Sequence, residues 1–297
     1  MVVESRMGLE STRNFLMADR LINTVLVTGA SSGIGRVTCL HLAEKGYTVV
    51  GTSRLLVRLE GLFDDAQRRG LRMWGVELDV NSGKSVESVM PGLIEQFGGI
   101  DALVNNAGFG VWGPIESLSI DELKLQFEAN FFGAVRMIHA TLPGMLERGS
   151  GRIVNISSVL GRIGTPFNGA YVSSKYALEG LSESLRTEVA PFGVKVALVE
   201  PGLFDTNFQK NQLRAARSDD PSLAYAPYVE SYNRRHDQFD WFAADPIKVA
   251  RVIEKVIRSR NPSLRHPVGF DCRLATVGAR ILPERLFHAL LSRATMR

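Results

Sequence analysis

A tyrosine and a lysine four residues apart are the side chains of this sequence best suited to chemistry. Tyr171 and Lys175 belong to the segment Tyr-Val-Ser-Ser-Lys, and on a helix this spacing places both on one face. A phenol has a reference pKa of about 10 and exchanges protons poorly at neutral pH. An ammonium ~4 Å away favours the phenolate by up to about three pKa units at an effective dielectric of ~20. The pair therefore predicts a general acid–base in which Lys175 lowers the pKa of Tyr171.

Two hydroxyl side chains follow an apolar segment upstream of this pair. Residues 153–156 have the pattern of a buried strand, and Ser157 and Ser158 come directly after it. Side chains alternate along a strand, so only one of the two serines can face the site. A hydroxyl there can hydrogen-bond a substrate oxygen on which negative charge develops. The pattern itself leaves both serines open.

A glycine-rich turn lies between the first predicted strand and a helix. It reads Thr-Gly-Ala-Ser-Ser-Gly-Ile-Gly over residues 28–35. Glycines let the backbone turn tightly and approach a phosphate, and the helix N-terminus offers unpaired N–H groups. The turn therefore predicts a binding site for the diphosphate of a dinucleotide.

The residue that distinguishes NAD from NADP is expected about 20 residues further on, after the second strand. An acid there binds the ribose hydroxyls of NAD, and a basic residue accommodates the 2′-phosphate of NADP. Residues 51–54 read Gly-Thr-Ser-Arg, with no acid. The planar guanidinium of Arg54 suits a phosphate, which favours NADP(H). The alternative is an ordinary solvated arginine.

The elements that must position these residues form an alternating series of strands and helices. Apolar β-branched runs alternate with helical stretches long enough for right-handed crossovers, which predicts a single Rossmann-type, doubly wound parallel sheet of about seven strands, with helices on both faces. A helix at 246–260 and an amphipathic helix from Pro283 follow. The predicted strands are 24–27, 47–51, a third that ends with 76–80, three that include 102–104, 153–156 and 194–199, and a short one near 267–270.

The division of the chain follows from the same pattern. Residues 1–20 mix acids and bases without an apolar core and are expected to be a flexible leader rather than a signal peptide. Residues 21–297 are expected to form one catalytic domain that binds the cofactor. Within it, residues 203–244 have weak periodicity, as expected of a substrate lid. A C-terminal extension covers residues 261–297.

The predicted lid is rich in aromatic side chains, with eight of the 24 in the chain. Because segments that follow parallel strands face the ligand-binding crevice, this composition favours a bulky apolar substrate. The alternative is that these rings pack the lid onto the body. Besides one of the two serines after residue 156, the expected substrate contacts are Phe109, Trp112, Phe167, Phe204 and Phe208.

Composition excludes some classes of function. A net charge of +4 over 297 residues is too small to indicate nucleic-acid binding, and no apolar run approaches the length of a membrane span. Cys39 and Cys272 match no metal or redox spacing, so we expect no metal site and a cytoplasmic protein. Residues 251–297 contain ten Lys/Arg and three Asp/Glu. This excess indicates either a solvated face or a weak contact with a membrane surface or a partner.

Several motifs in one order resemble the short-chain dehydrogenase/reductase family over residues 24–206. They are the glycines of the turn, Asn-Asn-Ala-Gly at 105–108, and Tyr171 with Lys175. In that family the active serine lies thirteen residues before the tyrosine, which selects Ser158. The fourth catalytic residue corresponds to Asn130, three residues before Gly133. The implied cofactor contacts are Gly29, Ser31, Ser32, Gly33, Ile34, Gly35, Arg54, Asp79, Val80, Asn106, Ala107, Gly108, Tyr171, Lys175, Pro201, Gly202 and Thr206.

The resemblance also implies a mechanism. In reduction, the nicotinamide delivers hydride to a carbonyl carbon while Tyr171 protonates the oxygen that Ser158 holds. Lys175 is expected to bind the nicotinamide ribose as well as to lower the tyrosine pKa, and Asn130 to support a water that links Lys175 to solvent. The family further implies a homodimer or homotetramer through the helices at 118–146 and 170–190.

The substrate class remains more open than the reaction. Asp245-Pro246, Val249-Ala250 and residues 262–270 loosely resemble the branch that contains hydroxysteroid and retinol dehydrogenases. They favour steroid-like, retinoid-like or long-chain carbonyls. The alternatives are an acyl-thioester ketoreductase and, in another class, a non-catalytic NADP(H)-binding sensor or scaffold.

Overall fold

The strands form one central parallel sheet and a small second one. A computed structural model describes residues 22–206, 208, 211–239 and 244–296. Within these residues the seven-stranded sheet has the order β3-β2-β1-β4-β6-β7-β9, and β5 pairs with β8. Every pairing is parallel. The strands are β1 (Thr24–Val27), β2 (Thr48–Ser53), β3 (Trp74–Glu77), β4 (Ala102–Asn105), β5 (Val111–Trp112), β6 (Gly151–Ile156), β7 (Val194–Pro201), β8 (Leu213–Arg214) and β9 (Arg265–Val268).

Helices cover both faces of the seven-stranded sheet, so the predicted Rossmann-type doubly wound fold is confirmed. The order of the strands reverses direction beside β1, which places a crevice at the carboxyl ends of β1 and β4. The helices are α1 (Gly33–Glu44), α2 (Glu60–Arg68), α3 (Gly83–Phe97), α4 (Ile120–Phe127), α5 (Gly133–Glu147), α6 (Gly169–Val189), α7 (Ala226–Phe239), α8 (Ile247–Arg258), α9 (Phe270–Ile281) and α10 (Glu284–Met296).

Two apolar layers hold the sheet between its helices. Along β1, Val25 and Val27 pack on the side of α1, α2 and α8, whereas Leu26 points to the side of α3, α5 and α6. The central strands β1 and β4 are buried on both faces, which is why their sequences are nearly continuous apolar runs rather than alternating ones. Burial on both sides holds the carboxyl ends of the strands in place.

Some predicted boundaries are wrong. The third strand, Trp74–Glu77, ends before the predicted end at Val80, because Leu78 makes the last backbone bond to Ser53 and the chain then leaves the sheet. The predicted helix at 118–146 is interrupted by a π-helical turn at Glu128–Phe132. The last strand ends at Val268, where Gly269 takes a φ of 107° and α9 begins. Helix α9 was not predicted.

The predicted lid, residues 203–244, contains regular structure. Strand β8 pairs with β5, and α7 follows. Its two ends are joined, since Ala244 N donates to Leu203 O at 3.1 Å and Asp205 N to Ala244 O at 2.9 Å. The segment therefore leaves and re-enters the body at one point. The predicted leader at 1–20 and the lid aromatics Trp241 and Phe242 lie outside the described residues.

In the part of the chain that the structure describes, no helix combines the length and the apolar character needed to cross a bilayer.

Candidate active site

The predicted catalytic side chains come from two elements that meet at the carboxyl edge of the sheet. Strand β6 ends at Ile156 and delivers Ser158, while Tyr171 and Lys175 lie in the first two turns of α6. Buried residues recur along α6 at helical spacing, which fixes the rotation of this helix against the sheet. The four-residue spacing then places the phenol and the ammonium on the buried face.

Tyr171, Ser158 and Lys175 form one cluster. The hydroxyl of Ser158 hydrogen-bonds Tyr171. The Lys175 Nζ atom donates to Ile156 O at 2.8 Å and lies 5.6 Å from the centroid of the Tyr171 ring. The structure thus pairs the phenol with Ser158; Ser157 is buried, and its Oγ makes no hydrogen bond within the described residues.

Burial controls the proton affinities of this cluster. It raises the pKa of Tyr171 to about 12, and the hydrogen bond from Ser158 only partly opposes it. Burial also lowers the pKa of Lys175 to about 8, against the opposing charge of Glu179. This raised pKa runs against the expectation that the phenol titrates near neutral pH, because burial outweighs the hydrogen bond from Ser158. The phenol is protonated at neutral pH and is equipped to donate a proton.

Asn130 lies in the π-helical turn, and its amide is held by neighbours. Its Nδ2 donates to Phe109 O at 3.0 Å and to Ser174 Oγ at 3.2 Å, while Oδ1 accepts from Phe109 N at 3.1 Å. Turns of this kind occur often at functional sites. The amide ties the chain after β4 to α6 next to Lys175; its expected support of a water stays a prediction.

Buried charges beneath the cluster were missed by the sequence analysis. Glu179, one turn beyond Lys175, accepts from Arg265 Nε at 2.8 Å, and Arg265 Nε also lies 3.6 Å from Glu200. Burial first, and repulsion by Glu179 second, raise the pKa of Glu200 to about 7, while Arg162 and Arg265 act against the rise. The i, i+4 spacing from Lys175 to Glu179 was a signal for this pair, but Arg265 comes from a distant strand.

The glycine turn has the close contacts that a phosphate-binding turn requires. Gly29 and Gly33 take positive φ angles of 67° and 52°. A Cβ at Gly35 would lie 2.3 Å from Gly29 O and 2.5 Å from Asn106 Nδ2. Ser32 precedes α1 in extended geometry, and its side chain does not cap the helix. The first N–H groups of α1 therefore face a turn without side-chain bulk, as a diphosphate needs.

The segment after β4 supports this turn from the other side. Asn106 Nδ2 donates to Thr28 O at 2.9 Å and Gly29 O at 3.1 Å, and Thr28 Oγ1 accepts from the N–H groups of Asn106 and Ala107. The role of Thr28 was not predicted. These bonds fix the turn and residues 106–108 as one unit at the crevice.

Other expected cofactor contacts surround the turn. Arg54 is exposed after β2 and makes no ion pair with a described carboxylate. Asp79 caps its own turn, with Oδ1 accepting from Asn81 N, and Val80 packs near Gly133. On the opposite side, Thr206 lies over Gly33, at 3.3 Å from the position of a Cβ there. Pro201 and Gly202 stand at the end of β7.

The aromatic residues expected to contact substrate fall into separate groups. The Phe208 ring packs at a tilt against the Tyr171 ring, at 5.3 Å between centroids. Trp112 and Phe167 pack with Tyr232 of α7, each pair of rings 5.3–5.5 Å apart. Phe204 instead packs into the core beside β7 and α8.

These placements divide the predicted set. Phe208 borders the phenol, and the Trp112 group connects the lid to the body. Phe109 is held through its backbone by Asn130. Burial of Phe204 in the core argues against its predicted contact with substrate.

Comparisons with known proteins place this chain in a family. The model of the short chain dehydrogenase family matches residues 23–217. The chain is 38% identical over 251 residues to the 3-ketodihydrosphingosine reductase of Bacteroides thetaiotaomicron, covering 82% of this chain and 87% of that protein. It is 39% identical over 254 residues to human retinol dehydrogenase 8, covering 82% and 80%.

Solved structures agree. A short-chain dehydrogenase from Streptomyces avermitilis aligns with a TM-score of 0.77 at 37% identity, covering 91% of this chain and 96% of that one. Actinorhodin polyketide ketoreductase, solved as a variant with NADPH, aligns with a TM-score of 0.71 at 29% identity, covering 83% and 95%. Together with the clustered Tyr171, Ser158 and Lys175, these matches show that the chain belongs to the short-chain dehydrogenase/reductase family and is an oxidoreductase of CH–OH and C=O groups.

Proposed function

We propose that the protein is an NADP(H)-dependent oxidoreductase that interconverts a carbonyl and an alcohol on a bulky apolar substrate, with Tyr171 as the proton-transfer residue. The observation that carries this proposal is the hydrogen-bonded pair of Ser158 and Tyr171 beside the buried Lys175. All three lie at the carboxyl edge of the sheet, next to the glycine turn, where ligands bind in such folds.

The residues divide the chemistry among themselves. The bound nicotinamide cofactor supplies or accepts the hydride. In reduction, Ser158 hydrogen-bonds the substrate oxygen as negative charge develops, and the protonated phenol of Tyr171 donates its proton to that oxygen. Lys175, held by Ile156 O, places a cation beside the phenol and stabilises the phenolate that remains. Asn130 holds the Phe109 backbone against α6.

Several contacts support NADP(H) as the cofactor. The glycine turn and the N-terminus of α1 would hold the diphosphate, Asp79 and Val80 the adenine side, and Pro201, Gly202 and Thr206 the nicotinamide side. Arg54, exposed and unpaired with any described carboxylate, would hold the 2′-phosphate. NADPH in the related ketoreductase structure is consistent with this assignment.

Substitution of Gly35 by alanine tests the phosphate turn. The new Cβ would overlap Gly29 O and Asn106 Nδ2, so the turn must open. Overpacking of this kind costs ~1–3 kcal/mol, which corresponds to about a 5- to 150-fold loss of NADPH affinity. Calorimetric titration measures the dissociation constant. Gly92→Ala is the control, since nothing lies within 4 Å of a Cβ at that position. Unchanged NADPH binding by Gly35→Ala would contradict the proposed turn.

An apolar substrate is supported by the rings at the crevice. Phe208 stands against the reactive phenol, and Trp112, Phe167 and Tyr232 line the lid–body junction. The similarity to a retinol dehydrogenase and a ketodihydrosphingosine reductase, whose names denote lipid-like substrates, points the same way. The four family residues for catalysis, Asn130, Ser158, Tyr171 and Lys175, are all present, although a sensor of NADP(H) would need only the nucleotide site.

The substrate class is tested by following NADPH oxidation with steroids, retinoids, long-chain ketones and acyl thioesters. We expect turnover of at least one apolar free carbonyl. Phe208→Ala should raise KM for that substrate by roughly tenfold or more, since a buried phenyl contributes ~1.5–3 kcal/mol. A short soluble ketone should be affected much less.

Phe192→Ala is the control for this experiment. Phe192 is exposed and lies beyond the far end of α6, about 30 Å along the helix from Tyr171. A uniform effect of Phe208→Ala on short and long substrates would count against an apolar substrate wall. Turnover of acyl thioesters alone would favour the ketoreductase alternative, and NADPH binding without any turnover would favour the sensor.

A further inference from the structure

Helix α9 presents an apolar stripe to solvent. Phe270, Leu274, Val277 and Ile281 are exposed by 81%, 62%, 52% and 73%. Their spacing of four, three and four residues places them on one face of the helix. Cys272, on the opposite face, is fully buried against the body. The side of α9 that faces outward is therefore the apolar one.

The neighbouring helix α8 shows the ordinary arrangement. Its apolar residues Val249, Ile253 and Val256 are buried, and its Lys255 and Arg258 point to solvent. Only β9 lies between the two helices in sequence. The outward-facing apolar side is therefore a feature of α9 and not of this whole region of the chain. A contiguous group of exposed apolar side chains is typical of an interaction surface.

Helix α10 continues the exposed apolar surface along the chain. Leu286 and Leu290 are about half exposed, one helical turn apart. The two helices contact each other, since a Cβ at Gly278 would lie 3.7 Å from the Phe287 ring. The exposed apolar side chains therefore lie on a pair of helices, α9 and α10, that contact each other.

The charges around these side chains are mainly positive. Arg273 and Arg280 of α9, and Arg285 and Arg293 of α10, are all exposed. Of the two acids on these helices, Asp271 is turned toward the body, where its Oδ2 accepts from Leu203 N at 2.7 Å. Apolar residues flanked by arginines have the character of helices that lie in the headgroup region of anionic membranes.

The hydrogen bond between Leu203 and Asp271 also shows where the exposed apolar surface lies relative to the crevice. Because Asp271 binds Leu203, just after the end of β7, α9 begins at the carboxyl edge of the sheet. A cleft of about 220 Å³ lies between this helical pair and residues 162–164, which follow Ser158. The exposed apolar surface is therefore on the side of the molecule that holds the candidate active site.

We propose that the α9 stripe and its flanking arginines bind the surface of an anionic lipid bilayer. The stripe enters the boundary between headgroups and acyl chains, and the arginines contact the lipid phosphates. A second copy of the chain fits less well, because a twofold contact through this face places two surfaces of like positive charge against each other. This proposal is independent of the catalytic assignment.

The test is flotation of the full chain with vesicles. We expect binding to vesicles of equal phosphatidylcholine and phosphatidylglycerol, at least about tenfold weaker binding to pure phosphatidylcholine, and weakening by salt. For the double variant Leu274→Ser/Ile281→Ser, the partition coefficient between vesicles and solution should be at least tenfold lower than for the wild type. The double variant Arg273→Gln/Arg280→Gln should lose about tenfold on the mixed vesicles only.

Matched controls separate the stripe from general hydrophobicity. Ile120→Ser and Phe192→Ser remove comparably exposed apolar side chains from other helices and should leave vesicle binding unchanged. Melting temperatures confirm that each variant is folded. Equal binding by the stripe variant and the wild type would overturn the proposal. The proposal would also be overturned if the wild type does not bind vesicles and the stripe variant changes from dimer to monomer. In that case the stripe is covered by a second copy of the chain.

Discussion

Replacement of Tyr171 by phenylalanine is expected to lower kcat by about a hundredfold to ten-thousandfold, the usual range for loss of a general acid–base. The ring remains, so its packing against Phe208 and its place in the buried face of α6 are kept. Only the hydroxyl that hydrogen-bonds Ser158 is lost. The affinity for NADPH should change by no more than about tenfold, since a single neutral hydrogen bond contributes ~0.5–1.5 kcal/mol.

Steady-state reduction of the substrate found in the carbonyl panel measures the effect on kcat, and calorimetric titration measures NADPH binding. Tyr176→Phe is the matched control, because Tyr176 is on the same helix, next to Lys175, and is 45% exposed. It should retain the activity of the wild type. Turnover of Tyr171→Phe within tenfold of the wild type would show that another group donates the proton.

Replacement of Arg54 by aspartate is expected to reverse the preference for the cofactor. The guanidinium would pair with the 2′-phosphate through charged hydrogen bonds worth ~1.5–3 kcal/mol each. Aspartate removes them and adds repulsion, so NADPH affinity should fall by roughly a hundredfold or more. A carboxylate at this position can accept from the ribose hydroxyls of NADH, so NADH binding should improve.

The readout is the ratio of the NADPH and NADH dissociation constants, which is insensitive to a general loss of stability. Arg58→Asp is the control, since Arg58 is exposed in the 3₁₀ turn that follows β2 and carries the same charge. It should leave the ratio almost unchanged. If Arg54→Asp also leaves the ratio unchanged, Arg54 does not hold the phosphate and cofactor choice lies elsewhere.

The pKa of Tyr171 shows where local spacing is insufficient. The four-residue interval predicts the approach of Lys175, and the two side chains do share the buried face of α6. The sign of the net pKa shift depends on how much water the packed sheet and lid exclude. That exclusion arises from residues far apart in sequence, so the ammonium alone gave the wrong direction.

Helix α9 and the buried acids Glu179 and Glu200 also have properties that local spacing in the sequence does not predict. The spacing of Phe270, Leu274, Val277 and Ile281 is a helical pattern that the sequence contains. Only the packed structure shows that this apolar stripe faces outward. Glu179 was visible as the residue one turn after Lys175. Its partner Arg265 comes from β9, which lies beside β7 only after the whole sheet has formed.

What the sequence by itself determined is the alternation of strands and helices along the chain, the glycine turn, the basic residue at position 54 and the Tyr171–Lys175 interval, because each is a local pattern with a local physical cause. The tertiary structure alone decided how burial sets the proton affinities, that Phe204 belongs to the core and that α9 turns its apolar side outward. These depend on which distant segments exclude water from a given atom, and solvent exclusion is a property of the packed chain rather than of any short stretch of it.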